Sequence, residues 1–131
     1  MSKRSVLLAL AALLIAAGSA YAQSVKFNVP FQFTAGTTLM PAGDYFIESH
    51  SGTLIIRGRD RQRFVNSIPV ESRDAQSQTK VVFRCYSSLC FLAQGWIEGN
   101  KSGWKLVVNR QERLVAKHDP ALRTPEVEAR R

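Results

Sequence analysis

The sequence is poor in the residues that carry most catalytic and metal chemistry. It has two cysteines and two histidines among 131 residues, and it contains no G-x-S-x-G, no H-E-x-x-H and no glycine-rich phosphate loop. A zinc site needs a second Cys/His pair close in sequence, and haem attachment needs C-x-x-C-H. We therefore expect no enzyme activity, no metal site and no cofactor.

Acidic residues are also scarce, with 10 Asp and Glu against 18 Lys and Arg, for a formal net charge of +8. Such an excess favours contact with anionic surfaces, including nucleic acid, lipid headgroups and acidic polysaccharide, but it does not define a function. The sequence does not identify a partner. The two kinds that it suggests are an anionic envelope polymer and a small apolar ligand.

A long apolar run occurs only at the N-terminus. Lys3 and Arg4 precede the apolar residues 6–17, and Ser19-Ala20-Tyr21-Ala22 places small residues before Gln23. This order predicts a cleavable signal peptide over residues 1–22 and an exported protein, periplasmic or extracellular. A membrane anchor is the alternative, but a spanning helix needs about 20 apolar residues. We therefore expect no transmembrane helix in the mature chain, where 16 basic residues remain.

The first mature segment alternates strictly. Apolar side chains occupy the odd positions from Val25 to Phe33, and polar residues or Pro30 occupy the even ones. This pattern predicts a strand with one face on a core and one toward water. Because Pro30 cannot donate a ladder hydrogen bond, we expect an edge strand or a bend between two shorter strands, at the periphery of the sheet.

Short segments rich in β-branched and aromatic residues follow, separated by turns. They predict one domain, residues 23–118, with an all-β fold: a small antiparallel barrel or sandwich of six to eight strands. Asn109 is the predicted N-cap of a short C-terminal helix. Residues 119–131 are predicted to be a disordered tail. The strand candidates are residues 44–48, 53–57, 63–66, 68–70, 80–86, 90–97 and 104–108.

Cys85 and Cys90 flank the predicted turn Ser87-Ser88-Leu89. In a hairpin of this register the two cysteines face each other, and an exported protein can keep a disulfide. We expect a bridge that contributes about 2 kcal/mol, because the loop it closes is short.

Arginine recurs at alternate positions, as Arg57, Arg59, Arg61 and Arg63. An extended chain would align them as an anion or nucleic-acid contact. The intervening Gly58 and Asp60 instead favour a solvated hairpin turn that spreads the guanidinium groups. Trp104 follows Gly103 at a turn, and we expect it to be free to contact a ligand or partner.

The aromatic residues have two interpretations. They supply the core that a small β domain needs, or some of them line the mouth of a ligand-binding barrel. Three functions follow: a non-enzymatic binding or scaffold module of the cell envelope, a carrier of a small apolar ligand in a β-barrel, and an anion-binding surface protein. The aromatic side chains concerned are Phe27, Phe31, Phe33, Tyr45, Phe46, Phe64, Phe83, Tyr86, Phe91, Trp96 and Trp104.

The segment Val25–Gly36, followed by Leu39 and residues 41–45, resembles a family of small exported bacterial proteins. Their pattern is V-x-F-x-V-P-F-x-F-x-x-G, a short spacer and L-x-P-A-G-x-Y. Weaker landmarks extend the resemblance to Arg113. It implies an all-β fold and an exported location, and it supplies no catalytic residue because the family has no assigned activity. The cysteine pair departs from the family's usual hairpin tip, so its disulfide is interpreted as an additional cross-link that the family fold does not require.

Overall fold

The structure, a computed structural model, describes residues 25–130; the predicted signal peptide lies outside this range. In it the chain forms twelve strands and one helix. Their bounds are β1 (Lys26–Val29), β2 (Phe33–Ala35), β3 (Thr38–Met40), β4 (Gly43–His50), β5 (Thr53–Arg57), β6 (Gln62–Asn66), β7 (Ile68–Glu71), β8 (Lys80–Tyr86), β9 (Leu89–Trp96), β10 (Ser102–Lys105), α1 (Arg110–His118), β11 (Leu122–Arg123) and β12 (Glu126–Arg130).

The strands form one sheet that curls into a half-barrel, which confirms the predicted all-β class. Its order is β3-β2-β9-β8-β12-β1-β4-β5-β6, and β10 pairs with the far end of β9 and with β7. All pairs are antiparallel except β2 with β9. Only Ser67 separates β6 from β7, so one continuous stretch pairs first with β5 and then with β10. This shared stretch curls the sheet around its core.

The first strand shows the predicted alternation, because Phe27 and Val29 are buried and Asn28 is exposed. The bend predicted at Pro30 is also present, since β1 ends at Val29 and β2 begins at Phe33. The peripheral position is wrong: β1 lies between β4 and β12. Its second neighbour comes from the segment that was expected to be disordered.

That segment is ordered, so the predicted disordered tail is wrong for the described residues. β11 pairs with β8, and β12 pairs with both β8 and β1. Val127 and Ala129 turn inward and pack against the core. The tail therefore contributes the strand that joins the N-terminal part of the sheet to the β8–β9 hairpin, and it helps to raise the strand number above the predicted six to eight.

Aromatic rings fill the centre of the half-barrel. Phe83 meets Phe31 edge-on at 4.9 Å between ring centroids and Phe33 at 5.3 Å. Phe33 in turn meets Tyr45 at 5.2 Å. Such edge-to-face pairs contribute about 0.5–1.5 kcal/mol each beyond the area they bury. These rings form the core that the first interpretation of the aromatic residues predicts.

The β8–β9 hairpin turns at Ser87 and Ser88, as predicted, and brings Cys85 opposite Cys90. The two cysteines form a disulfide with their Cα atoms 4.0 Å apart. This close spacing is typical of a non-hydrogen-bonded cross-strand pair. The predicted bridge is therefore confirmed, and it closes the hairpin tip against which α1 packs.

Helix α1 begins where the sequence predicts. The Asn109 side chain accepts a hydrogen bond from the Glu112 backbone N–H at 2.9 Å and donates one to the Gly36 carbonyl at 2.6 Å. Asn109 therefore caps a free backbone N–H in the first turn of the helix. It also connects the helix to the β2–β3 turn.

A buried ion pair holds α1 on the outer face of β8. Arg84 donates from Nε and Nη2 to the two carboxylate oxygens of Glu112, at 2.6 and 3.0 Å, and Tyr86 donates its hydroxyl at 2.9 Å. Arg84 also donates to the Leu106 carbonyl. Burial and the adjacent carboxylate raise the pKa of Tyr86, so its phenol stays a donor.

Candidate ligand cleft

An apolar cleft opens at one end of the half-barrel. Four strands point side chains into it from the inner face of the sheet: Phe27 from β1, Ile47 from β4, Val81 from β8 and Trp104 from β10. Each of these positions follows the inward phase of its strand, since alternate residues of a strand face the same side. The floor of the cleft is therefore a product of the same alternation that builds the core.

Trp104 lies in this floor because Gly95 makes room for it. The two residues are directly opposite each other on β10 and β9, and a Cβ atom at Gly95 would overlap the indole ring. Trp104 is 8% exposed, so the prediction of a freely accessible tryptophan is wrong. Its ring instead forms part of the floor of the cleft.

Trp96 and Ile97 stand at the open side of the same cleft. Trp96 is half-buried and donates its indole N–H to the Gln94 side-chain oxygen at 3.1 Å. Ile97 is 51% exposed. Both tryptophans of the chain therefore lie at one site.

Polar groups occupy the rim. Glu48 contacts the His50 ring nitrogen at 3.0 Å and the Arg57 guanidinium at 3.5 Å. On the opposite side, Lys80 pairs with Glu126 at 3.0 Å. An apolar floor with a few polar groups beside it is the usual composition of a small-molecule site.

The cleft has a volume of about 320 Å³. Small-molecule sites in proteins range from about 300 to 1,000 Å³, so this one accommodates a small ligand. The sequence named Phe27, Trp96 and Trp104 among the aromatic residues that could line a barrel mouth, but it did not identify Ile47 or Val81. The missed signal is that Ile47 and Val81 both occupy the inward phase of their strands.

The arginine-rich segment is a hairpin turn. Arg57 ends β5, Arg59 lies in the turn, and the Gly58 N–H donates to the Arg61 carbonyl at 2.7 Å. Arg57, Arg59 and Arg61 line one surface cleft. Arg63 is opposite the inward-facing Ile56 and so lies on the other face of the strand. The hairpin turn that Gly58 and Asp60 favour is present, and the alternative alignment of all four arginines is wrong, because three of them line this cleft and Arg63 does not.

Residues 25–130 contain no group of three or more His, Cys, Asp and Glu side chains placed to hold a metal ion. In the same range, no helix is long and apolar enough to cross a membrane. No family model, curated protein or solved structure matches the chain. The family resemblance of the N-terminal segment therefore stays a prediction.

Proposed function

We propose that this chain is an exported, non-enzymatic binding module of the cell envelope that holds a small apolar ligand in the cleft at the end of its half-barrel. The observation that carries the proposal is the cleft itself, in which apolar side chains from separate strands surround a space of about 320 Å³. Small-molecule sites are clefts lined mainly by apolar and aromatic side chains with a few polar groups, and this cleft has that composition.

The polar residues at the cleft support a binding role over a catalytic one. Glu48, Ser49 and His50 are consecutive in β4, so Ser49 points to the face opposite the other two. A hydroxyl nucleophile needs a base within hydrogen-bond reach, and this alternation separates Ser49 from His50.

Binding is tested with the neutral fluorophore N-phenyl-1-naphthylamine, whose emission rises in an apolar site. Ile97→Glu places a charge at the open side of the cleft and is expected to weaken binding about five- to tenfold, since it removes about 1 kcal/mol of apolar contact. Energy transfer from Trp96 and Trp104 to the bound probe should accompany binding, because both indoles line the site.

The matched control is Leu39→Glu, because Leu39 has a similar exposure of 54% and lies on β3, outside the cleft. It should bind the probe as the wild type does. Val81→Phe, which fills the cleft from its floor, should abolish binding in a chain whose circular dichroism is unchanged. Equal affinity of the Ile97 and Leu39 variants, or no saturable binding by the wild type, would contradict the proposal.

A further inference from the structure

The outer face of the sheet carries a row of cationic and aromatic side chains. The register places Arg130, Lys26, Phe46 and Arg57 directly opposite one another on β12, β1, β4 and β5. Neighbouring strands lie about 4.8 Å apart, so the row presents three cations and one ring at regular intervals. All four side chains are on the outward phase of their strands, away from the ligand cleft.

A surface cleft of about 580 Å³ lies over the Arg57 end of this row. The turn between β5 and β6 adds Arg59 and Arg61 to its wall, and the turn before β4 forms the other side. Within the described residues, neither Arg59 nor Arg61 forms an ion pair or a side-chain hydrogen bond. Two guanidinium groups are thus available there, each with a fork of donors that fits a carboxylate.

The two turns are held together, so the cleft is formed before a ligand arrives. Tyr45 donates its hydroxyl to the Pro41 carbonyl at 2.5 Å in one turn. Its ring also covers Gly58 in the other, where an added Cβ atom would lie 2.8 Å from the ring. Burial raises the pKa of Tyr45, which keeps the phenol protonated as a donor. The arginines therefore extend from a fixed backbone.

The acidic residues of the cleft leave an excess of positive charge. Asp44 accepts a hydrogen bond from Asn28 at 2.8 Å and pairs with Lys26 at 3.5 Å, and these contacts lower its pKa. Asp60 is the second carboxylate that lines the cleft. Four cationic side chains line it: Lys26, Arg57, Arg59 and Arg61. The Lys26 and Arg57 ion pairs are solvent-exposed and contribute at most about 1 kcal/mol each. A carboxylate of a ligand can therefore replace Asp44 as the partner of Lys26 and Glu48 as the partner of Arg57.

We infer that this surface, defined by Lys26, Phe46, Arg57, Arg59 and Arg61, binds a segment of a carboxylate-bearing polysaccharide. The line of three cations across neighbouring strands matches a linear polyanion, and the exposed ring of Phe46 between Lys26 and Arg57 offers an apolar face to a sugar ring. The surface is on the outer face of the sheet, so this inference does not depend on the function proposed for the apolar cleft.

The test is calorimetric titration of the protein with tetragalacturonate. We expect saturable binding that Arg59→Gln/Arg61→Gln weakens at least tenfold. Arg73→Gln/Arg113→Gln removes the same charge at exposed positions elsewhere and should change the affinity less than twofold. Phe46→Ser should weaken binding several-fold, whereas Phe64→Ser, at another exposed ring of the same face, should not.

Three results would overturn the inference. Equal losses in the two arginine double variants would show that only overall charge attracts the polymer. Tighter binding of a single-stranded thymidine oligonucleotide of equal charge, with the same dependence on Arg59 and Arg61, would assign the surface to nucleic acid. Uncharged maltotetraose should not bind, and its binding would also contradict a role for the carboxylates.

Discussion

Replacing Glu112 with alanine is expected to lower the free energy of unfolding by about 3–5 kcal/mol, because it leaves the Arg84 guanidinium buried without its counter-charge. Glu112 is 2% exposed, and it accepts hydrogen bonds from Nε and Nη2 of Arg84 and from the hydroxyl of Tyr86. Removing it also takes away the contact that holds α1 on β8, which leaves the tie from Asn109 to Gly36. Urea denaturation of the wild type and the variant measures the change.

The control removes both charges together. A buried ion pair pays a desolvation cost that apolar replacements avoid, so Arg84→Met/Glu112→Leu should be clearly more stable than Glu112→Ala alone. A double variant as unstable as the single one would contradict the interpretation that the unpaired arginine causes the loss. The same result would indicate that the loss comes from the packing of α1.

Truncating Phe83 to alanine is expected to destabilise the fold by about 3–5 kcal/mol. Phe83 is fully buried and its ring contacts those of Phe31 and Phe33. The deletion removes the middle ring of that cluster and leaves a cavity that the strands on either side cannot close. Thermal and urea unfolding both report the effect.

Phe64→Ala is the matched control, because Phe64 is 65% exposed on β6. Exposed substitutions change stability by about 0.5 kcal/mol or less. Similar losses for the two variants would show that the aromatic cluster is not the centre of the core.

The alternation of apolar and polar residues along the chain allowed much of the sheet to be predicted from the sequence. β5 and β8 have the predicted bounds, and the β8–β9 hairpin has the predicted turn and disulfide. Helix α1 was found from its cap residue, Asn109. These features depend on local patterns, which a single sequence displays directly.

The tail strand was missed because its pattern is short and polar. Glu126–Arg130 has only Val127 and Ala129 as apolar positions, and its stability comes from pairing with two strands that are distant in sequence. The strict alternation of this segment is nevertheless a strand signal. Missing β12 also led to the peripheral placement of β1.

The candidate sites depended on long-range packing in the same way. Trp104 was expected to be exposed because it follows a turn, but its place in the sheet is set by Gly95 on the neighbouring strand. The arginine cluster was visible in the sequence, whereas its row with Lys26 and Phe46 exists only through the register of β1, β4 and β5. Neither relation can be read from residues close in sequence.

The most direct test of the central proposal is native mass spectrometry of the mature protein isolated from its own source without denaturation. The proposal predicts a second mass that exceeds that of the chain by one small apolar molecule, present in the wild type and absent from Val81→Phe. A bare chain mass in repeated wild-type preparations, or the same added mass in the filled variant, would contradict it.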